Sequence, residues 1–126
     1  MVVTAVRKQL TLEETASLGV VVSAEPYDLE VGRQYVVYGL RILSGRPFVE
    51  FESSFGYLYP APLVLFEVTD SRCSASWRFV TLDEGFALWP EELLLPYFHD
   101  RLSDADPEAV WAFNKMKDRL TAEFAD

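Results

Sequence analysis

One cysteine and one histidine among 126 residues leave little material for thiol, imidazole or metal chemistry. With Cys73 alone no internal disulfide can form, and zinc cages that need two to four thiolates are excluded. With His99 alone, any Ser-His-Asp or Cys-His arrangement must use that residue, and metal sites built on two histidines are excluded. Basic residues are scarce too. Eleven Lys and Arg against twenty Asp and Glu give a net charge of −9 at pH 7, which repels phosphate backbones and anionic headgroups. Neither nucleic acid nor membrane is an expected partner. The longest apolar runs, such as residues 63–66 and 93–95, fall far short of the roughly 20 residues that span a bilayer. The apolar start, residues 1–6, is short, has no basic residue before it and runs into Arg7 and Lys8, unlike a secretion signal. A reducing cytoplasm is the expected compartment.

Repeats, low-complexity tracts and Gly/Ser-rich linkers are also missing, so one domain over residues 1–126 is expected. What the chain has is bulk: 50% hydrophobic and 14% aromatic residues, enough for a core that needs no staples at this length.

Local patterns give an α+β reading. A short strand at residues 2–6 is followed by Thr11-Leu12-Glu13-Glu14, a capping-box pattern opening a short helix closed by Gly19. Residues 20–23 are β-prone, and Glu25-Pro26-Tyr27-Asp28 reads as a turn. Residues 34–43 form the strongest strand signal, with Val36, Tyr38, Leu40 and Ile42 on one apolar face. Ser44-Gly45-Arg46-Pro47 turns this strand into another at 48–52, with Val49 and Phe51 on one side and Glu50 and Glu52 on the wet side. Residues 53–62, with Gly56, Pro60 and Pro62, read as a loop, and 63–68 and 76–82 as strands. The region 20–88 is thus expected to be an antiparallel, curled or barrel-like β-meander. Residues 89–124 are expected to be helical and packed on it: Pro90 opens one helix, Pro96 interrupts it, and Asp104-Ala105-Asp106-Pro107 caps a last helix with the stripe Val110, Phe113, Met116, Leu120 and Phe124.

Catalytic patterns are weak. The span from Gly39 to Gly45 misses the phosphate-loop spacing, and Arg46-Pro47 stands where Lys-Ser/Thr is required. Glu50 and Glu52 lie about 7 Å apart on one strand face, a spacing that could hold a water between acid and base. Their alternation with Val and Phe is better explained by a half-buried hairpin. His99 reads as a helix-end residue facing carbonyls or solvent, and Cys73 as a small buried hydrophobe. No metal, cofactor or catalytic residue is expected, and the chain reads as a non-enzyme.

Two features remain. Residues 83–108 carry Asp83, Glu84, Glu91, Glu92, Asp100, Asp104, Asp106 and Glu108 against Arg101 alone, a bias that can steer a basic protein partner. The segment Phe55-Gly56-Tyr57-Leu58-Tyr59-Pro60 is dense in aromatics for a loop, so Tyr57 and Tyr59 are either interface anchors or a lid over the barrel end. Asp83, Glu84, Glu91, Glu92, Asp100, Tyr57 and Tyr59 are therefore the candidate protein-binding residues.

Three segments carry a resemblance: Val31-Gly32-x-x-Tyr35-Val36-Val37-Tyr38-Gly39, then Leu65-Phe66-Glu67-Val68-x-Asp70-x-Arg72 with Trp77, and Asp104-Ala105-Asp106-Pro107-Glu108-Ala109-Val110. Together the chain resembles a group of small acidic bacterial proteins of unassigned function, some of which look like immunity proteins that neutralise a neighbour's toxin. The resemblance implies a protein-binding inhibitor and brings no catalytic residue with it. Two further readings stand beside it: a small-ligand module or carboxylate-based hydrolase with Glu50 or Glu67 as acid or base, and a structural domain that self-associates through its aromatic loop.

Overall fold

A computed structural model describes residues 1–18 and 25–125 and is α+β, as the sequence patterns predict. The chain runs β1 (Val2–Ala5), α1 (Leu12–Leu18), β2 (Gln34–Val36), β3 (Gly39–Leu43), β4 (Arg46–Glu52), β5 (Leu58–Pro62), a 3-10 turn (Leu63–Leu65), β6 (Phe66–Asp70), β7 (Arg78–Leu82), β8 (Gly85–Trp89), a second 3-10 turn (Glu91–Leu94), α2 (Phe98–Ser103) and α3 (Pro107–Glu123). The expected helix closure at Gly19 and strand at 20–23 lie outside the described residues.

The strands form two antiparallel sheets, β2-β1-β6 and β5-β4-β3-β8-β7. The predicted strand 34–43 is really two, because β2 pairs with β1 while β3 pairs with β4 and β8. Where the chain crosses between sheets, Tyr35, Val37, Tyr38, Gly39 and Leu40 are all buried. Alternation predicts a single apolar face, but a segment with a sheet or a helix on each side has none.

The predicted hairpin is present. Leu43 pairs with Arg46 across a two-residue turn in which Ser44 has φ 51° and Gly45 φ 77°, the left-handed geometry that matches strand twist. The predicted loop 53–62 is a correction: from Leu58 onward it is β5 and pairs with β4. Pro60 and Pro62 are tolerated because β5 is the edge of its sheet. Residues 63–65 form a 3-10 turn rather than strand, and residues 85–89 supply a central strand, β8.

Pleating sorts the five-stranded sheet into two faces. Leu40, Val49, Phe51 and Ala61 on one face pack with Val3, Ala5, Tyr35, Leu65 and Phe66 of the three-stranded side. On the opposite side Tyr38, Leu58 and Trp89 pack with Phe98, Leu102, Phe113, Met116 and Leu120 of α2 and α3. The helices have the ends the sequence specifies. Thr11 Oγ1 accepts from Glu14 N–H while Glu14 Oε1 accepts from Thr11 N–H, the reciprocal capping box. Asp106 accepts from the N–H groups of Glu108 and Ala109 at the start of α3, so its carboxylate serves as a cap.

Candidate functional site

Glu50 is the least expected residue of the fold: its side chain is 0% exposed. The strand-face periodicity that places it on a wet surface is overruled by α2, which lies over that face. Both carboxylate oxygens are filled. Arg41 donates from Nε to Oε1 and from Nη2 to Oε2, each at 3.1 Å, and Trp89 Nε1 donates to Oε1 at 2.6 Å. His99 Nε2 lies 2.7 Å from Oε2. The same Nε2 lies 3.0 Å from Arg41 Nη2, so the imidazole sits against both members of the ion pair. Burial, the largest influence, pushes the Glu50 carboxyl up; hydrogen bonding from His99 and the charge and hydrogen bonds of Arg41 outweigh it, holding the group below the usual glutamate range.

Each partner has a traceable origin. The turn at Ser44-Gly45 pairs Gly39 with Glu50 and Arg41 with Phe48, so Arg41 is the diagonal neighbour of Glu50 on the same face. Gly39 is required beside it. A Cβ there would stand 2.6 Å from Trp89 Cδ1 and 3.3 Å from Glu50 Oε1. The guanidinium carbon of Arg41 lies 5.4 Å from the Trp89 ring centroid, and Trp89 in turn rests against His99. His99 is in the first turn of α2, facing the sheet with its side chain 31% exposed, which corrects the expectation of a helix-end residue facing carbonyls or solvent. The cluster is a polar staple between β3, β4, β8 and α2.

Two residues before His99 stands Tyr97, 80% exposed. Its φ of 56° is the left-handed region, which costs a bulky residue about 1–2 kcal/mol. The neighbours Phe98 and His99 are anchored below, so the chain bends at Tyr97 and its ring is left in solvent. In the same stretch of chain Leu94 is exposed, as are Glu91, Asp100 and Asp104, none of which has an ion-pair partner among the described residues.

The other candidates separate. Asp83 and Glu84 are exposed but lie in the β7–β8 turn, at the opposite end of β8 from Glu91. About 20 Å of strand separates them at roughly 3.3 Å per residue, so the acidic stretch is two surfaces and not one. Glu92 is tied to Arg119 at 2.6 and 2.8 Å, and that hydrogen bonding holds its carboxyl low. Tyr59 is half-buried: its ring packs edge-on to Phe51 and its hydroxyl accepts from Asp28 N–H. Tyr57 is half-buried and stacks on the exposed Phe55. Cys73 is exposed, contrary to its expected burial.

The two carboxylates have separate partners, Glu50 being enclosed by Arg41, Trp89 and His99. Glu52 accepts from Lys117 Nζ at 3.0 Å, and Glu67 is exposed on β6. A groove of about 560 Å³ lies between β2 and α3, lined by Arg33, Gln34, Tyr38, Glu52, Lys117 and Thr121 among others. A smaller cleft of about 220 Å³ beside Arg41 is lined by Tyr27, Leu43, Phe48 and Pro60. Among the described residues no group of three or more His, Cys, Asp or Glu could hold a metal ion, and no helix is long and apolar enough to cross a membrane.

Sequence reasoning passed over Arg41, Trp89 and Tyr97 and gave His99 no partner. The hairpin register was enough to bring Arg41 beside Glu50; Trp89 and His99 arrive from 39 and 49 residues away with no local signal. No protein-family model matches the chain, and neither curated proteins nor solved structures give a significant match.

Proposed function

We propose that this chain is a protein-binding domain and not an enzyme, one that docks a basic partner in the manner of an immunity protein holding a toxin. The docking surface is the segment from Glu91 to Asp104, with Tyr97 as its anchor. The observation that supports this reading is the exposed, left-handed Tyr97 in a segment that also exposes Leu94, Glu91, Asp100 and Asp104. Tyrosines are among the residues enriched at the energetic centres of interfaces, and carboxylates without an ion-pair partner among the described residues attract a cationic surface at no cost in broken ion pairs. The polar staple serves the surface by fixing His99, two residues from Tyr97, so that the anchor is ordered before binding. The resemblance to small bacterial proteins agrees with such an inhibitor, and the cytoplasm is the compartment in which the exposed Cys73 stays reduced.

Affinity capture from the native source at low salt tests the proposal. A basic protein should be retained by the unaltered chain, released as ionic strength rises, and lost with Asp100→Lys or Tyr97→Ala. Binding indifferent to salt and to both substitutions contradicts it.

A second reading, a small-ligand module, is favoured by the groove between β2 and α3, whose size falls in the range of ligand sites. A metabolite that raises the melting temperature of the unaltered chain but not of Lys117→Ala would move the assignment there.

A further inference from the structure

The fold leaves strand edges open, and they are not equally guarded. β5 carries Pro60 and Pro62, β2 has three residues, and β6 has the exposed Glu67 in its body; prolines, shortness and charge are the usual devices against edge pairing. β7 has none of them at its centre. It pairs with β8 alone, its middle residues are Phe79, Val80 and Thr81, and Phe79 is 63% exposed and stacked on Phe86 at 5.0 Å.

The register decides what this edge offers. Leu82 pairs with Gly85 across the two-residue turn Asp83-Glu84, and residues flanking such a turn exchange hydrogen bonds with each other. Alternation then directs the backbone groups of Arg78, Val80 and Leu82 toward β8, and those of Phe79 and Thr81 outward. Two outward residues separated by one form a self-complementary edge. An antiparallel copy centred on Val80 sets Phe79 of each chain opposite Thr81 of the other, with all four outward residues correctly in phase. The same register brings Arg78 of one copy beside the Asp83-Glu84 turn of the other. None of Arg78, Asp83 and Glu84 has an ion-pair partner within its own chain among the described residues, and across the two-fold axis their charges are complementary.

We infer that β7 is a homodimer interface, in which two chains join their five-stranded sheets edge to edge and exchange Arg78 with Asp83 and Glu84. The edge runs the length of β8, from the Asp83-Glu84 turn at one end to Arg78, which pairs with Trp89, at the other. The net charge of −9 on each chain opposes association at low ionic strength, so the test is made near physiological salt.

Sedimentation velocity or light scattering over about 10 to 500 μM should show a monomer–dimer equilibrium. Thr81→Pro removes an outward N–H that no strand of the same chain uses, a change an edge tolerates, and should raise the dimer dissociation constant at least about tenfold with unchanged circular dichroism. Arg78→Glu should weaken the dimer as well, and mixing it with a chain carrying Asp83→Lys and Glu84→Lys should restore association as a heterodimer. The charge exchange decides the matter if Thr81→Pro fails to fold. A monomer at every concentration overturns the inference, as does a dimer that neither Thr81→Pro nor the charge reversals weaken.

Discussion

On one face of the five-stranded sheet, Leu40, Val49 and Phe51 meet Val3, Leu65 and Phe66 in an all-apolar contact. On the other face, between the same strands and α2, the chain has placed an ionised glutamate with Arg41, Trp89 and His99 against it. The first contact is non-directional and proportional to the area buried. The second has a single geometry, because moving α2 by one residue would leave Glu50 without His99. Buried ion pairs are poor sources of net stability, so on the face where Phe98, Phe113 and Leu120 supply the apolar contact the cluster serves to hold α2 in register, with Tyr97 presented as the consequence.

Substitutions on the two faces break this comparison in order of size. Phe51→Ala should cost about 4 kcal/mol in chemical denaturation, as a large cavity in an apolar core does, and should lower the protection of the whole chain. Glu50→Ala should cost about 3 kcal/mol, since Arg41 loses its counter-charge and His99 its contact with the carboxylate, with the loss concentrated in α2. Gly39→Ala keeps every member of the staple but pushes its Cβ into the Trp89 indole, and overpacking of this kind should cost about 2 kcal/mol. A red shift of tryptophan emission would report the displaced ring.

Acid sharpens the comparison without a change in packing. The Glu50 carboxyl titrates below its ordinary value, so its contribution is present above the unfolded glutamate pKa of about 4.3 and is lost as pH falls through the folded one. Glu14 and Asp70, each held at about 2 by Arg7 and Arg72, share the same limb, so the Glu50 share is the difference between the unaltered chain and Glu50→Gln. That difference should shrink toward zero as pH falls. The smallest effect belongs to Tyr97→Gly. Relief of the left-handed strain against the added flexibility of glycine should leave a gain of about 0.5 kcal/mol in thermal unfolding, while partner binding is lost.

The parts legible in the sequence are those fixed by neighbours in the chain. Thr11 with Glu14, Asp106 with Pro107 and the Ser44-Gly45 turn each act within a few residues and are found in the structure; of the stripe Val110, Phe113, Met116, Leu120 and Phe124, the middle three are buried, while Val110 and Phe124, the latter past the end of α3, are half-buried. Illegible parts depend on what lies across a face. Period-two alternation takes one side of a strand to be wet, and it fails from Tyr35 to Leu40 and again at Glu50, where a second layer covers that side. Proline content hid β5 because edge position, which excuses proline, is a property of the sheet order. The acidic stretch was visible as composition, yet its division between the β7–β8 turn and the Tyr97 surface needed the length of β8.

Hydrogen exchange of the amides of residues 98–103, compared between the unaltered chain and Glu50→Gln at neutral pH, tests the staple most directly. Selective loss of protection in α2, with β1, β4 and β6 unchanged, is the result predicted for a carboxylate whose task is to hold that helix in place. Unchanged protection of α2, or a uniform loss across both sheets, would contradict it.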